Sequence, residues 1–303
     1  MKNCLLLILM LITFKCFSQN IRGNVVDSAT GRPLPYAAIL YNNNKNFLYT
    51  DSAGSFVLNA DSLKKTDTLF IEFLGYKPLY VSASSLHANE VIKMVQQASE
   101  LNPVIVSNCR RMKTYTLNNR TRGIRNYLGP GPETKIIIVG HYLNKKQKAG
   151  YIKKISFYDE TYSGKVVVPV RLRWYDWNEV TQSPGKELTS TNIIIYPYKK
   201  GWNDFTMPAN TAYFPVSGIV FGFEFIYPVE FVEQYRMIAS TSEKLSWLSN
   251  MTHRWSLGMQ TSRDEEQNGF FSINNHAFER YNERSDRFYM KPAIKFEISH
   301  CEQ

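Results

Sequence analysis

The sequence predicts an all-β chain built as a small β-sandwich followed by a larger one. Three observations predict it. Short runs alternate apolar and polar residues with period two, clusters of Gly, Pro, Asp and Ser separate those runs, and aromatic residues reach 14% while helix-favouring alanine is scarce. At 303 residues the chain is ample for two hydrophobic cores.

The first element is a leader. Lys2 supplies a positive start, residues 5–14 are apolar apart from Thr13, and Cys16-Phe17-Ser18 places small residues at −3 and −1 of a cut before Gln19. Ten apolar residues are too few to span a bilayer, which takes about 20 in a helix. No later run reaches that length. Lys15 sits where a lipoprotein signal wants a small neutral residue, so Cys16 is read as part of the leader. The expectation is a signal peptide over 1–18 and an exported protein, in the periplasm or at the outer-membrane surface, with no transmembrane segment.

Residues 20–95 follow as short strands punctuated by defined turns. Asp27-Ser28-Ala29-Thr30-Gly31 offers side chains that bond their own backbone and a glycine tolerant of positive φ. Pro33 and Pro35 withhold ladder donors, so pairing restarts over 36–41. Asp51-Ser52-Ala53-Gly54 repeats the turn between strands at 47–50 and 55–58. Residues 68–73 alternate, Gly75-Tyr76 turns into 77–82, and 20–26 and 90–95 complete about seven strands, the count of a small sandwich.

Ile21 through Ile39, Tyr49-Thr-Asp-Ser-Ala-Gly-Ser-Phe56 and Ile71-Glu-Phe-Leu-Gly-Tyr76 occur in an order that resembles the carboxypeptidase regulatory-like domain, a transthyretin-like sandwich of Gram-negative envelope proteins. The resemblance implies a seven-stranded fold over 19–107 and an envelope address. It implies no catalysis, because in carboxypeptidases this domain is the appendage to the enzyme.

A boundary is expected near residue 107, after Glu100-Leu-Asn-Pro-Val-Ile-Val-Ser. Residues 109–125 then carry Arg110, Arg111, Lys113, Arg120, Arg122 and Arg125 without an acidic residue, and Gly129-Pro-Gly-Pro132 breaks the chain. Beyond it, Val166, Val168, Val170, Leu172 and Trp174 mark one face of a strand over 165–175, with Arg171, Arg173 and Tyr175 on a half-exposed opposite face. Ile219, Phe221, Phe223, Phe225 and Tyr227 do the same over 218–227, opposite Gly222 and Glu224. Further strands at 135–142, 151–158, 191–196, 253–259 and 292–299 suggest a jelly-roll-like sandwich of roughly eight to ten strands over 108–303. This half resembles the β-sandwich partner domain that follows the regulatory-like domain in short exported bacterial proteins, which implies no site residues.

The net charge of +10 falls to +8 once Lys2 and Lys15 leave with the leader. It leaves open a polyanion contact at residues 110–125, set against a merely solvated surface. Nucleic acid is not expected, for want of a recognition motif in an exported chain. Of the four cysteines, Cys109 and Cys301 remain after the leader, and whether they pair is open.

His87-Ala-Asn-Glu90 and His276-Ala-Phe-Glu279 satisfy the H-x-x-E spacing of zinc carboxypeptidases, but chance supplies such pairs and the catalytic domain that would complete the site is absent. Nucleophile elbows, H-E-x-x-H and phosphate loops are missing too, and Glu224 reads as an isolated solvent-face glutamate rather than a glycosidase partner of Asp204. No catalytic residue, metal or cofactor is expected. Trp177, Trp202 and Tyr175 are the candidate ligand-binding residues, at strand ends where flat rings can meet a sugar. The expected function is a non-catalytic envelope module that binds a glycan or another envelope protein; the alternative is a hydrolase of unrecognised type acting on peptide or glycan.

Overall fold

Asp27 closes the first predicted turn with its own carboxylate. Its Oδ1 accepts from the amides of Ala29 (2.9 Å) and Thr30 (2.7 Å), and its Oδ2 from the Tyr76 hydroxyl (2.7 Å) and Gln96 Nε2 (3.0 Å). Gly31 follows at φ 67°, where an L side chain is strained. The turn at Asp51 repeats the device, its Oδ1 taking the amides of Ala53 and Ser55.

The computed structural model of the chain describes residues 20–87, 89–97, 111–117, 124–128, 135–159, 168–228, 257–262, 269–280 and 289–302. These turns connect β1 (Ile21–Asp27), β2 (Ala38–Tyr41), β3 (Asn46–Tyr49), β4 (Ser55–Leu58), β5 (Thr68–Glu72), β6 (Leu79–Ser82) and β7 (Glu90–Met94). They form two sheets, ordered β4-β1-β7 and β3-β2-β5-β6, with β1 and β7 parallel. Val25, Phe56, Leu58, Leu69, Ile71 and Ile92 belong to their shared core. This is the seven-stranded sandwich that the turns and alternation predict.

The later described residues add β8 (Arg111–Leu117), β9 (Ile124–Leu128), β10 (Ile136–Tyr142), β11 (Gly150–Asp159) and β12 (Val170–Asn178). Next come β13 (Ser183–Glu187), β14 (Ile194–Ile195), β15 (Gly201–Thr206), β16 (Tyr213–Phe214) and β17 (Ile219–Phe225). The series ends with β18 (Leu257–Ser262), β19 (Gly269–Ile273), β20 (Glu279–Arg280), β21 (Tyr289–Pro292) and β22 (Ile294–Glu302). A seven-stranded sheet runs β13-β12-β17-β10-β19-β20 with β14 on β12. An eight-stranded sheet runs β21-β18-β11-β22-β8, with β15 and β16 on β11 and β9 on β18. The strand count exceeds the expected one because elements such as β14, β16 and β20, two residues each, are too short to show a period.

The predicted inward faces hold among the described residues, Val166 lying outside them. Val168, Val170, Leu172 and Trp174 of β12 and its approach, with Phe221, Phe223 and Phe225 of β17, pack against Ile155, Phe157 and Phe296 of the other sheet. The predicted half-exposed faces do not. Arg171, Tyr175, Val220 and Glu224 are all buried. The first sandwich covers one end of that face, and the other end is filled by Ile137, Val139, Tyr175, Val220 and Phe270. The only helical segments among the described residues are two single 3-10 turns, Ala60–Ser62 and Ala83–Ser85. No helix of those residues is long and apolar enough to cross a membrane. The two sandwiches share no strand ladder there, only a single bridge between Tyr49 and Pro228.

Candidate functional site

Trp202 lies near the start of β15, opposite Tyr158 of β11, and the two rings meet edge to face with centroids 5.6 Å apart. Two residues along, the same pairing sets Asp204 opposite Ser156, and Ser156 faces Lys295 of β22 on its other side. Side chains two apart on a strand share a face. Since Phe157 and Phe296 point into the core, this face is the outer one. An aromatic row (Trp202, Tyr158) therefore runs beside a polar row (Asp204, Ser156, Lys295). Trp202, Tyr158 and Lys295 are half-buried, Asp204 is exposed, and Ser156 between the outer strands is buried. The Lys295 ammonium reaches diagonally to lie 3.7 Å from the Trp202 ring centroid. Burial there lowers the pKa of Lys295, against the opposing pull of Asp204.

The edge of β15 is finished by the turn before it. Asn203 Oδ1 accepts from the amides of Tyr198 and Lys199, and its Nδ2 donates to the carbonyls of Lys199 and Gly201. The Tyr198 hydroxyl accepts from the Asp204 amide at 3.1 Å, which brings a half-exposed ring to the rim of the same face.

Trp177 and Tyr175 are elsewhere. Both belong to β12, in the other sheet. Trp177 stacks on His141 with centroids 4.0 Å apart and also meets Phe270. Tyr175 is 5% exposed within the same apolar cluster. The structure does not bring Trp177 and Trp202 together, because they occupy outer faces of opposite sheets.

The second constellation is a buried joint between the sandwiches. Glu224 is not a solvent-face glutamate as expected, but fully buried. Its Oε1 accepts from Arg171 Nη1 and the Tyr49 hydroxyl, both at 2.9 Å, and its Oε2 from Arg173 Nη1 at 2.6 Å. Arg173 also pairs with Glu187, and Arg171 Nη2 donates to the carbonyl of Tyr36 at 2.7 Å. Burial alone would raise the Glu224 carboxyl, but Arg171 and Arg173 outweigh it and hold it well below the usual carboxylate range. Nearby, Lys135 pairs with Glu72 of the first sandwich, and burial pulls its ammonium down to about 7. A carboxylate locked this tightly is structural, and Asp204 belongs to the other sheet.

The remaining candidates fall as follows. In the basic stretch, Arg111 and Lys113 lie on β8, where Lys113 pairs with Glu302, while Arg110, Arg120 and Arg122 lie outside the described residues. The Glu90 carboxylate accepts the His87 amide, and His276 donates its amide to Ile273. Among the described residues no three His, Cys, Asp or Glu side chains gather as a metal site would need. Cys301 is disulfide-bonded, whereas Cys109 lies outside the described residues, as do residues 1–18, where a leader is expected.

Residues 21–106 match the family model of the CarboxypepD_reg-like domain, so the resemblance read from the turns holds for the first sandwich. The match stops before β8 and reaches neither the Trp202 face nor the arginines of the joint. None of the curated proteins matches the chain. Tyr158, Tyr198 and Lys295 went unmarked in the sequence. The alternation over 151–158 put Tyr158 opposite Phe157, but nothing in it gave the cross-strand register that sets it beside Trp202.

Proposed function

We propose that this chain is a non-catalytic exported envelope protein that binds a glycan, or an envelope component bearing one, through the outer face around Trp202. The observation that supports the reading is the aromatic row of Trp202 and Tyr158 lying beside the polar row of Asp204, Ser156 and Lys295. An indole face is apolar and suits the C–H face of a pyranose, while the adjoining carboxylate and ammonium suit its hydroxyls. By analogy with aromatic pairs, which contribute about 0.5–1.5 kcal/mol, a single sugar binds weakly and affinity grows with repeated units. The leader and the regulatory-like domain support an envelope address, in the periplasm or at the outer-membrane surface.

The test is a glycan array probed with the mature chain and two variants. Trp202→Ala should lose binding while keeping its melting temperature within a few degrees, since the ring is only half-buried. Trp177 is half-buried too, but its ring is stacked on His141 and packed against Phe270, so Trp177→Ala should lower the melting temperature, at a cost of about 3 kcal/mol, and leave the binding profile of the folded fraction intact. A folded Trp202→Ala that binds as well as the parent overturns the reading. So does a metal-dependent peptidase activity that disappears in His276→Ala or Glu279→Ala.

A further inference from the structure

We infer that the saccharide taken by this face is acidic, with its anionic group meeting Lys295 while its ring stacks on Trp202. The inference rests on the glycan reading above and adds to it the class of sugar. Lys295 already places its ammonium 3.7 Å from the centroid of the Trp202 ring. A neutral pyranose must displace that cation from the indole face and recovers only stacking in exchange. A saccharide carrying a carboxylate or phosphate draws the ammonium off the ring into a charge-assisted pair and leaves the ring open to its own C–H face.

The neighbourhood leaves that role available. Lys154 on the next row is paired with Glu297 at 3.4 Å, and Lys113 farther along the sheet with Glu302. Among the described residues Lys295 makes no such ion pair, and Asp204, its counterpart across Ser156, acts on it only through space. A second cation–ring pair stands at the rim, where Lys199 lies 5.3 Å from the Tyr198 centroid and Tyr198 is anchored to the Asp204 amide. The face thus carries aromatic surface together with two lysines, Lys295 and Lys199, against the single carboxylate of Asp204. The net charge, +8 once Lys2 and Lys15 leave with the leader, adds long-range attraction for an anion.

The experiment compares polygalacturonate with its fully methyl-esterified form, which differ in charge and share a backbone, and adds a phosphorylated mannan. Each is titrated against the mature chain, Lys295→Met, Lys295→Arg and Trp202→Ala, with folding checked by thermal melting. Expected are binding of polygalacturonate at least tenfold tighter than its ester, a loss of at least tenfold in both Lys295→Met and Trp202→Ala, and retention in Lys295→Arg. The same pattern on phosphorylated mannan, with polygalacturonate inert, supports the inference with phosphate as the anion. If the ester binds as tightly as the acid, or more tightly once Lys295 is methionine, Lys295 is a cover over a neutral-sugar site; the inference falls and the glycan reading stands. A loss in Lys295→Met without one in Trp202→Ala marks diffuse polyanion attraction and also overturns the inference. Binding of none of the three polymers overturns it as well, and the glycan array decides the broader reading separately.

Discussion

Two carboxylates show how far a single residue's role can be read from its neighbours in sequence. Asp27 sits in Asp-Ser-Ala-Thr-Gly, and the amides it binds are two and three residues away, so its task was legible in the motif. Glu224 was not legible, because the partners that make it a buried anchor stand 51, 53 and 175 positions off. Both carboxyls are held ionised by the fold. Asp27 is lowered to about 2, first by the Tyr76 hydroxyl and then by the Thr30 amide. Glu224 lies well below its ordinary value because two guanidiniums overcome the effect of burial. Their folded pKa values are depressed, so the unfolded chain takes up protons first as pH falls. The stability they contribute is fully present well above the ordinary carboxylate values of about 4 and is lost progressively as pH falls through that range toward pH 2. Urea midpoints should therefore fall across that window, and Asp27→Asn should lower the neutral-pH midpoint while making the decline shallower. A midpoint that stays constant down to pH 2 contradicts this account.

At the scale of elements, period two identified the inward faces of β12 and β17 and mistook their outward ones. Alternation reports that a strand has two faces; it carries no information on what a distant segment lays over the second. The seven residues of β17 are all buried, in a strand paired on both edges between β12 and β10. Gly222 belongs to this crowding rather than to a turn. A Cβ built there would stand 2.0 Å from the Ile138 carbonyl oxygen and 2.6 Å from Val139 Cα, both backbone atoms of the paired strand. Neither can move without opening the β10–β17 ladder. Gly222→Ala should cost about 3 kcal/mol through overpacking, read as a lower denaturant midpoint. An unchanged midpoint would mean that the ladder yields freely. The register that sets Trp202 beside Tyr158 belongs to the same scale, since it depends on pairing between β11, β15 and β22, which no single strand's pattern encodes.

Across the whole molecule, two sandwiches with separate cores are held by a joint that is both apolar and charged. Ala38, Leu40 and Tyr49 of the first sandwich cluster with Ile226 of the second. Tyr36 keeps a left-handed φ of 60° while its carbonyl accepts from Arg171, a conformation that a bulky residue holds only where its surroundings impose it. Glu224 is the centre of the joint because it alone receives Tyr49, Arg171 and Arg173 together. A link of this kind should make the two cores unfold as one. The chain is expected to give a single calorimetric transition whose calorimetric and van't Hoff enthalpies agree. Glu224→Gln keeps the shape but removes the negative charge, leaving Arg171 buried with its guanidinium uncompensated; the cost should be about 3–5 kcal/mol. That cost falls on the joint rather than on either core, so the variant should melt in two resolved steps, with the first sandwich's Tyr36 and Tyr49 more exposed to solvent before the second step begins. Two steps in the parent chain would show that the cores are already independent. A single unshifted step in Glu224→Gln would show that the apolar contacts alone hold them together.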